Sequence, residues 1–265
     1  MLQRLWRVFS LLSLCTHVSQ CGLPFTGCPE DLDHVGSNVC VMYLGDTNAF
    51  CDAAERCAGY GKLRGWKLFL IGRNAPLLHK IHPFTSHPIW TGVNQLLIDR
   101  QTASDGWRDT NPDTPEYTTP LNFSWYTTQT SADSPYTYYD FHDKAFSGGT
   151  IGTTYDHGVY CEFGGLLPSA VTTTKFRTDF PEKISEFFPV NSEFTGCYIN
   201  DNSRTTKLKC VFMCAKYHAC RSVYFDEQTG QCIQVLYADS LLAEYHRKMG
   251  AAWVRFAKTP AVRMP

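Results

Sequence analysis

The spacing of the cysteines constrains this chain more than any other feature of its sequence. There are 12 cysteines among 265 residues, and none lies between Cys57 and Cys161. Cys57 ends an apolar stripe in which Phe50, Ala53 and Ala54 complete the i, i+3, i+4, i+7 spacing of an amphipathic helix. Cys161 is the natural partner, and in the chain-entropy model a loop of this size stabilises by about 4 to 5 kcal/mol. The pair predicts a closed domain that begins at a helix and ends at a strand.

The boundaries of that first helix follow from its flanking residues. Gly59 is expected to stop the helix, and either Asp46 or Thr47 is expected to cap its start. The partner cysteine lies in the apolar run 158–163, which is typical of a strand.

Composition and the amino terminus indicate where the protein works. A formal net charge of -1 gives no sign of the excess positive charge that is typical of nucleic-acid-binding proteins. The density of cysteines suits an oxidising compartment. Arg4 and Arg7 flank a short apolar run, so residues 1–20 are predicted to be a signal peptide. No later run of 18 apolar residues exists, and we therefore expect a secreted protein without a membrane span.

The predicted first domain covers residues 21–165. A hairpin stapled by Cys28 and Cys40 is expected near its start, followed after the first helix by a strand within 63–70. A second helix is expected from Asn74 to about residue 81, and a strand over 89–93 contains Trp90. Residues 95–154 lack sustained periodicity, which is typical of functional loops.

These landmarks, taken in order, resemble the C-type lectin-like domain. The hairpin, the helix ending in Cys57, the Trp-x-Gly strand at Trp90, the long loop and the closing Tyr-Cys-Glu at Cys161 all contribute. The resemblance covers about residues 28–163. It implies an α+β fold in which two helices flank small antiparallel sheets, and a long loop that holds calcium in the sugar-binding members.

The resemblance also implies candidate ligand-binding residues. Sugar-binding members follow a Trp with a Glu or Gln, a Pro, and an Asn or Asp, and residues 107–113 resemble that motif. The implied set is Trp107, Asp109, Asn111, Asp113, Glu116 and Trp125. Oxygens of Asp109, Asn111, Asp113 and Glu116 are the candidate calcium ligands, because calcium prefers hard oxygens. The tryptophans are candidate faces for a sugar ring.

Other features qualify this calcium site. The family's Trp-Asn-Asp motif has no counterpart in residues 150–157, and no cysteine is present to staple the long loop. An ordinary turn explains Asn111 and Asp113 equally well, since both residue types favour turns without a metal. Asn122 begins an Asn-Phe-Ser acceptor sequence and is the predicted glycosylation site.

Beyond residue 166 the composition changes. Residues 166–187 are predicted to be a linker, because they are rich in small residues and interrupted by proline. A helix over 206–215 and a hairpin over 221–235 then follow, amid the cysteines at 197, 210, 214, 220 and 232. This arrangement resembles the PAN or apple domain over about residues 188–258, followed by a tail at 259–265. The resemblance implies the bridges Cys210–Cys232 and Cys214–Cys220, so that both α+β domains are stapled by disulfides.

The remaining cysteines leave one residue without a partner inside the chain. If Cys15 leaves with the signal peptide, 11 cysteines remain, and four bridges use eight of them. We expect Cys21 to pair with Cys51, which leaves Cys197 free or joined to another chain. A disulfide-linked homodimer through Cys197 is therefore a prediction.

The motifs point to binding and not to catalysis. The sequence has no HExxH, GxSxG or phosphate-cradling loop, so we do not expect an enzyme. The main prediction is a secreted recognition protein that binds carbohydrate or glycoprotein ligands through the long loop. The alternative is a calcium-independent, protein-binding adhesive matrix component that uses Tyr136, Tyr138 and Tyr139. A third hypothesis is an architectural protein in which the two disulfide-stapled domains act as spacers. The basic residues after Glu244 are interpreted as a solvated tail, although they also suit an anionic glycan.

Overall fold

The computed structural model describes most of the chain. It covers residues 27–36, 38–81, 87–97, 106–111, 124–126, 134–168, 173–181, 183–184, 186–189, 194–201, 203–248 and 250–259. The described residues form two β-sheets, two α-helices, two short 3₁₀ helices and five disulfides, a mixed α+β architecture. None of the described helices is long and apolar enough to cross a membrane.

The first sheet has seven strands. They are β1 (Asp33–Gly36), β2 (Val39–Ala49), β3 (Trp66–Leu70), β4 (Ile89–Asn94), β5 (Tyr136–Asp140), β6 (Ala145–Gly149) and β7 (Gly152–Leu166). Their order is β1-β2-β7-β4-β5-β6, with β3 also paired to β7. The predicted hairpin and the predicted strand around Cys161 are thus present as β1–β2 and β7.

Helix α1 (Phe50–Arg64) starts where predicted and ends later than predicted. Gly59 does not stop it, because the αL residue that ends the helix is Gly65, with φ 71°. No side chain caps the first turn, so the cap expected from Asp46 or Thr47 is also wrong. A second glycine inside the helix, Gly61, lets the helix pack closely against β3, because a Cβ there would overlap the carbonyl of Trp66 at the start of that strand.

Two further elements differ from the sequence prediction. The second helix is a short 3₁₀ helix at Ala75–Lys80, and Asn74 makes no side-chain cap. The stretch expected to be irregular contains the antiparallel hairpin β5–β6, whose register pairs Tyr138 with Ser147. Tyrosine, threonine and phenylalanine in these strands favour a pleated surface, a signal that the loop interpretation overlooked.

The second sheet has five strands and packs with the second helix. It contains β8 (Phe176–Arg177), β9 (Cys197–Asp201), β10 (Cys220–Asp226), β11 (Cys232–Leu236) and β12 (Trp253–Lys258), in the order β8-β12-β10-β11-β9. Helix α2 (Lys207–Lys216) is capped by the hydroxyl of Thr206, which accepts from the backbone of Lys209 at 3.2 Å. The helix and the hairpin thus occur where the sequence indicated.

Part of the predicted linker belongs to this second sheet. Strand β8 lies within residues 166–187 and pairs with β12. Phe187 also packs its ring against Tyr224 of β10, with 5.5 Å between centroids. These contacts attach the connecting stretch to the second sheet.

The two sheets are joined by a continuous core. Phe50 packs against Trp90 and Tyr136, with ring centroids 6.1 Å and 4.4 Å apart, and the same buried cluster extends to Val223 of the second sheet. The hydroxyl of Tyr136 donates to the carbonyl of Thr195, and the backbone of Leu241 donates to Leu96 at 2.9 Å. Apolar burial and hydrogen bonds therefore hold the sheets together.

A disulfide that the sequence analysis did not foresee reinforces this junction. The structure contains Cys28–Cys40, Cys57–Cys161, Cys210–Cys232 and Cys214–Cys220, and in addition Cys51–Cys197. The expected Cys21–Cys51 bond is therefore wrong, and Cys197 is not available for a bond between chains. Cys21 lies outside the described residues. Cys51 points away from β7 because six residues separate it from Cys57 on α1, and the second sheet packs on that side.

Peptide mapping tests this pairing. Cleavage of the unreduced protein before each aspartate should release residues 46–51, which contain Cys51 as their single cysteine, joined to residues 179–200, which contain Cys197. Reduction should separate the two fragments. Recovery of residues 46–51 joined to the fragment that carries Cys21 would contradict the structure.

Loop length predicts the stabilities of two disulfide variants. In the chain-entropy model the Cys51–Cys197 bond, with a separation of 146 residues, stabilises by about 5 kcal/mol, and Cys214–Cys220, with a separation of 6, by about 2 kcal/mol. The double variant Cys51→Ala/Cys197→Ala should therefore unfold at lower guanidinium concentration than Cys214→Ala/Cys220→Ala. An equal or smaller loss in the first variant would show that this bond constrains the chain little.

Candidate functional site

The structure describes four of the six candidate ligand-binding residues. Trp107, Asp109, Asn111 and Trp125 are placed, whereas Asp113 and Glu116 lie outside the described residues, as does Asn122. Trp107, Asp109 and Asn111 belong to one short segment, residues 106–111, at the base of the long loop. The geometry of this segment decides what the loop base can bind.

Trp107 is part of the hydrophobic core. Its side chain is fully buried, and its ring packs against Trp125 with 5.0 Å between centroids. Trp125 is half-buried and also packs near Phe146 of β6, at 6.2 Å. The prediction that Trp107 offers a face to a sugar ring is therefore wrong, because that face is covered by other aromatic rings.

Asp109 is engaged in holding the loop base. Its side chain is 2% exposed, and Oδ2 accepts from the backbone and from Nε of Arg73, at 2.9 and 3.3 Å. Oδ1 accepts from the backbone of Asn111 at 3.0 Å, which closes a turn. Both carboxylate oxygens thus have partners, so the assignment of Asp109 as a calcium ligand is not supported: a calcium ion would have to displace the guanidinium of Arg73.

Two glycines make room for this segment. A Cβ on Gly72 would overlap the carboxylate of Asp109, and a Cβ on Gly92 would overlap the hydroxyl of Thr110. That hydroxyl donates to the carbonyl of Leu70 at 3.0 Å, and the Thr110 backbone donates to Gly92 at 3.1 Å. The loop base therefore lies directly on β4 and the end of β3. Gly92 is the sequence signal that could have indicated this close approach.

A second carboxylate is buried nearby, on β7. Glu162 is 6% exposed, and Oε1 accepts from the side-chain nitrogen of Asn74 at 2.8 Å. The pKa of Glu162 is raised to about 7, chiefly by burial and also by the negative charge of Asp109, while Asn74 and Arg73 oppose the shift. Among the described residues no group of three or more His, Cys, Asp or Glu is arranged to hold a metal ion. Glu162 and Asp109 therefore form a polar cluster with a structural role.

A cleft between the two sheets lies beside the loop base. It has a volume of about 630 Å³ and is lined by α1, β3, residues 108–111, the stretch after β7, α2, β10 and β12. Pockets of roughly 300 to 1,000 Å³ commonly hold small ligands. We call this feature the intersheet cleft.

Hydrogen bonds across the intersheet cleft fix its walls. Arg221 of β10 donates through Nε to the carbonyl of Tyr237 at 2.7 Å and through its terminal nitrogen to the carbonyl of Thr110. His218 contacts the carbonyl of Ala58 on α1, at 3.3 Å. The second sheet is thus bonded both to helix α1 and to the base of the long loop.

Lys258 contributes a buried cation to the cleft wall. Its ammonium group donates to the carbonyls of Cys214 and Tyr217, each at 3.0 Å, at the carboxyl end of α2. Burial lowers the pKa of Lys258 to about 8, and the neighbouring charge of Arg221 adds to the effect. The interpretation of the carboxyl-terminal cations as a solvated tail is therefore wrong for Lys258, and also for Arg255, which is 2% exposed and ion-paired with Asp239.

The tyrosines that the alternative function would use are largely internal. Tyr136 is fully buried and Tyr139 is 4% exposed, while Tyr138 is half-buried with its ring 5.0 Å from that of His157. Strand β5 is an interior strand of the first sheet, paired on both sides with β4 and β6. Tyr136 and Tyr139 are therefore core residues and not contacts for a partner protein.

Comparisons with known proteins concern the fold. No protein-family model matches the sequence, and no curated protein matches it. Solved structures that match are C-type lectin-like domains, each covering about half of this chain. Human lithostathine is 15% identical with a TM-score of 0.39, covering 55% of this chain and 98% of its own. The C-type lectin domain of murine dendritic cell inhibitory receptor 2, in complex with N-glycan, is 15% identical with a TM-score of 0.36, covering 51% and 98%. The EPNH mutant of CEL-I is 12% identical with a TM-score of 0.38, covering 52% and 97%.

The buried carboxyl of Glu162 predicts a pH dependence of stability. Its pKa of about 7 in the folded state exceeds the ordinary value of 4.5, so its contribution is fully present below pH 4.5 and is lost as the pH rises through 7. The free energy of unfolding should fall by about 2 to 3 kcal/mol over this window because of this one group. In Glu162→Gln, which keeps an acceptor for Asn74, this fall should be absent.

Guanidinium unfolding at pH 5 and pH 8 measures the effect, with the exposed Glu55→Gln as the matched control. We expect the control to follow the wild type and Glu162→Gln to be the more stable protein at pH 8. Parallel curves for all three proteins would contradict the role assigned to Glu162.

Proposed function

We propose that this chain is an extracellular recognition protein that binds a carbohydrate or glycoprotein ligand and has no enzymatic activity. The observation that carries the proposal is the intersheet cleft, whose volume of about 630 Å³ suits a ligand of a few sugar rings. Residues 108–111, at the base of the long loop, form part of its wall. In this proposal the long loop contributes its base to the binding site.

The extracellular location is supported by disulfide chemistry. Five disulfides persist only where the surroundings are oxidising. Secretion directed by a signal peptide at residues 1–20, and a glycan at Asn122, are parts of the same proposal.

The proposed architecture is a C-type lectin-like unit, residues 21–165, followed by a PAN/apple-like unit, residues 188–258. Two bonds support the second assignment: Cys210–Cys232 joins α2 to β11, and Cys214–Cys220 joins α2 to β10. Both were implied by the resemblance of the sequence to that family.

Ligand binding is proposed to be independent of calcium. The support is the engagement of both Asp109 oxygens by Arg73 and by the backbone of Asn111. Without Asp109, the residues implied as calcium ligands are reduced to Asn111, Asp113 and Glu116. Calcium takes six to eight oxygens, of which these three side chains supply at most five.

Calcium removal distinguishes this proposal from a metal-bridged lectin site. Binding of the glycosylated, secreted protein to a glycan array should be the same in calcium and in EGTA. The variant Asp113→Ala/Glu116→Ala should keep the same pattern of bound glycans, because these carboxylates hold no bridging ion.

Loss of the bound glycans in EGTA, together with their loss in the double variant, would replace this proposal with a calcium lectin. Absence of any glycan signal would overturn carbohydrate binding and favour the protein-binding alternative.

A further inference from the structure

The side chains that line the intersheet cleft are strongly unbalanced in charge. Among the described lining residues six are Lys or Arg and two are Asp. The cations are Lys62, Lys67, Arg108, Lys216, Arg221 and Lys258. The whole chain has 24 basic and 25 acidic residues, so this imbalance is a property of the cleft and not of the composition.

Both acids of the lining are already neutralised by groups on their own side. Asp109 is paired with Arg73. Asp239 is ion-paired with Arg255 and accepts from the hydroxyl of Ser222 at 2.6 Å. Neither carboxylate is therefore free to balance the cations that face the cleft.

Three of the cations have no carboxylate partner in the described part of the chain. Lys62 and Lys216 are exposed on α1 and α2, on opposite walls, and Lys258 bonds only to backbone carbonyls. Lys216 also lies over the ring of Phe212, with its ammonium nitrogen 4.6 Å from the centroid. A polyanion that entered the cleft would meet an ammonium group from each side.

The positive charges that line the cleft also repel one another. The pKa of His218 is lowered by burial and by the charges of Lys258, Lys62 and Arg221, which shows that these groups share one electrostatic field. Charges in a partly enclosed cleft are screened less than charges on an open surface. An anionic group at the centre would relieve this repulsion.

We propose that the intersheet cleft binds the sulfate or carboxylate groups of an acidic oligosaccharide. The polar lining supplies cations for the acidic groups, and the apolar residues Leu167, Phe180 and Pro181 offer surface to the C–H faces of sugar rings. This inference rests on the proposed function and adds to it the charge of the ligand and the place where it binds.

The experiment measures binding of the full, disulfide-bonded chain to a sulfated glycosaminoglycan tetrasaccharide and to the same tetrasaccharide after desulfation, N-acetylation and reduction of its carboxyl groups, which leave it uncharged. Isothermal titration calorimetry at two salt concentrations is suitable, because neutralised charges make the affinity fall with salt. We expect the sulfated probe to bind more tightly, and its affinity to fall as salt increases.

Variants locate the site. Lys62→Gln/Lys216→Gln removes one ammonium group from each wall, and neither side chain makes a hydrogen bond or an ion pair that the fold needs. The matched control, Lys80→Gln/Lys209→Gln, removes two exposed cations outside the cleft. The affinity for the sulfated probe should fall about three- to tenfold in the cleft variant and stay unchanged in the control.

Each other outcome overturns the inference in its own way. Equal affinity for the sulfated and the uncharged probes would leave glycan binding intact and remove the requirement for an anion. Equal loss in both variants, or equally tight binding of a polyphosphate of the same charge, would show nonspecific attraction. No binding of either tetrasaccharide, with no signal on the glycan array, would overturn the proposed function as well.

Discussion

Helix α1 is held covalently on two sides, and the arrangement of both sheets depends on this. Cys57 bonds to Cys161 in the middle of β7, while Cys51, near the start of the helix, bonds to Cys197 at the start of β9. Phe50 and its neighbours fill the space between these bonds with a core that continues from one sheet to the other. The intersheet cleft lies along the same face of α1, where Ala54, Ala58 and Lys62 follow Cys51 at helical spacing and line it.

Local patterns were sufficient to predict the elements whose stability is local. The i, i+3, i+4, i+7 spacing located α1, and the cysteines at 210 and 214, four residues apart, located α2. The helix end predicted at Gly59 was wrong because glycine also occurs inside helices. There it can allow close approach to a neighbouring strand, as Gly61 does toward β3. The hairpin β5–β6 was overlooked because its polar threonine and serine positions masked the alternation of buried tyrosines.

Long-range pairings were the part that the sequence could not determine. The partner of Cys51 depends on how the second sheet packs against the first, and no spacing rule contains that information. Trp107 and Asp109 show the same limit. Their order in the chain fits a binding motif, but the ring of Trp107 is buried and the carboxylate of Asp109 is ion-paired, so neither is open to a ligand. Their burial depends on Gly72 and Gly92, because these glycines let the segment lie on the sheet. The near-neutral composition likewise gave no sign of a cleft that six cations and two carboxylates line.

The bond between Cys51 and Cys197 also has a mechanical consequence. A pulling force applied through the two ends of the chain passes from one of these residues to the other through their sulfurs, so residues 52–196, which lie between them, carry no tension. An extended residue spans about 3.3 to 3.6 Å, so the loop closed by this bond contains roughly 500 Å of chain that can extend only after the bond is reduced. A protein tethered at both ends in the extracellular space would therefore carry the load through the residues before Cys51 and after Cys197, while most of α1 and strands β3 to β8 would be shielded from it.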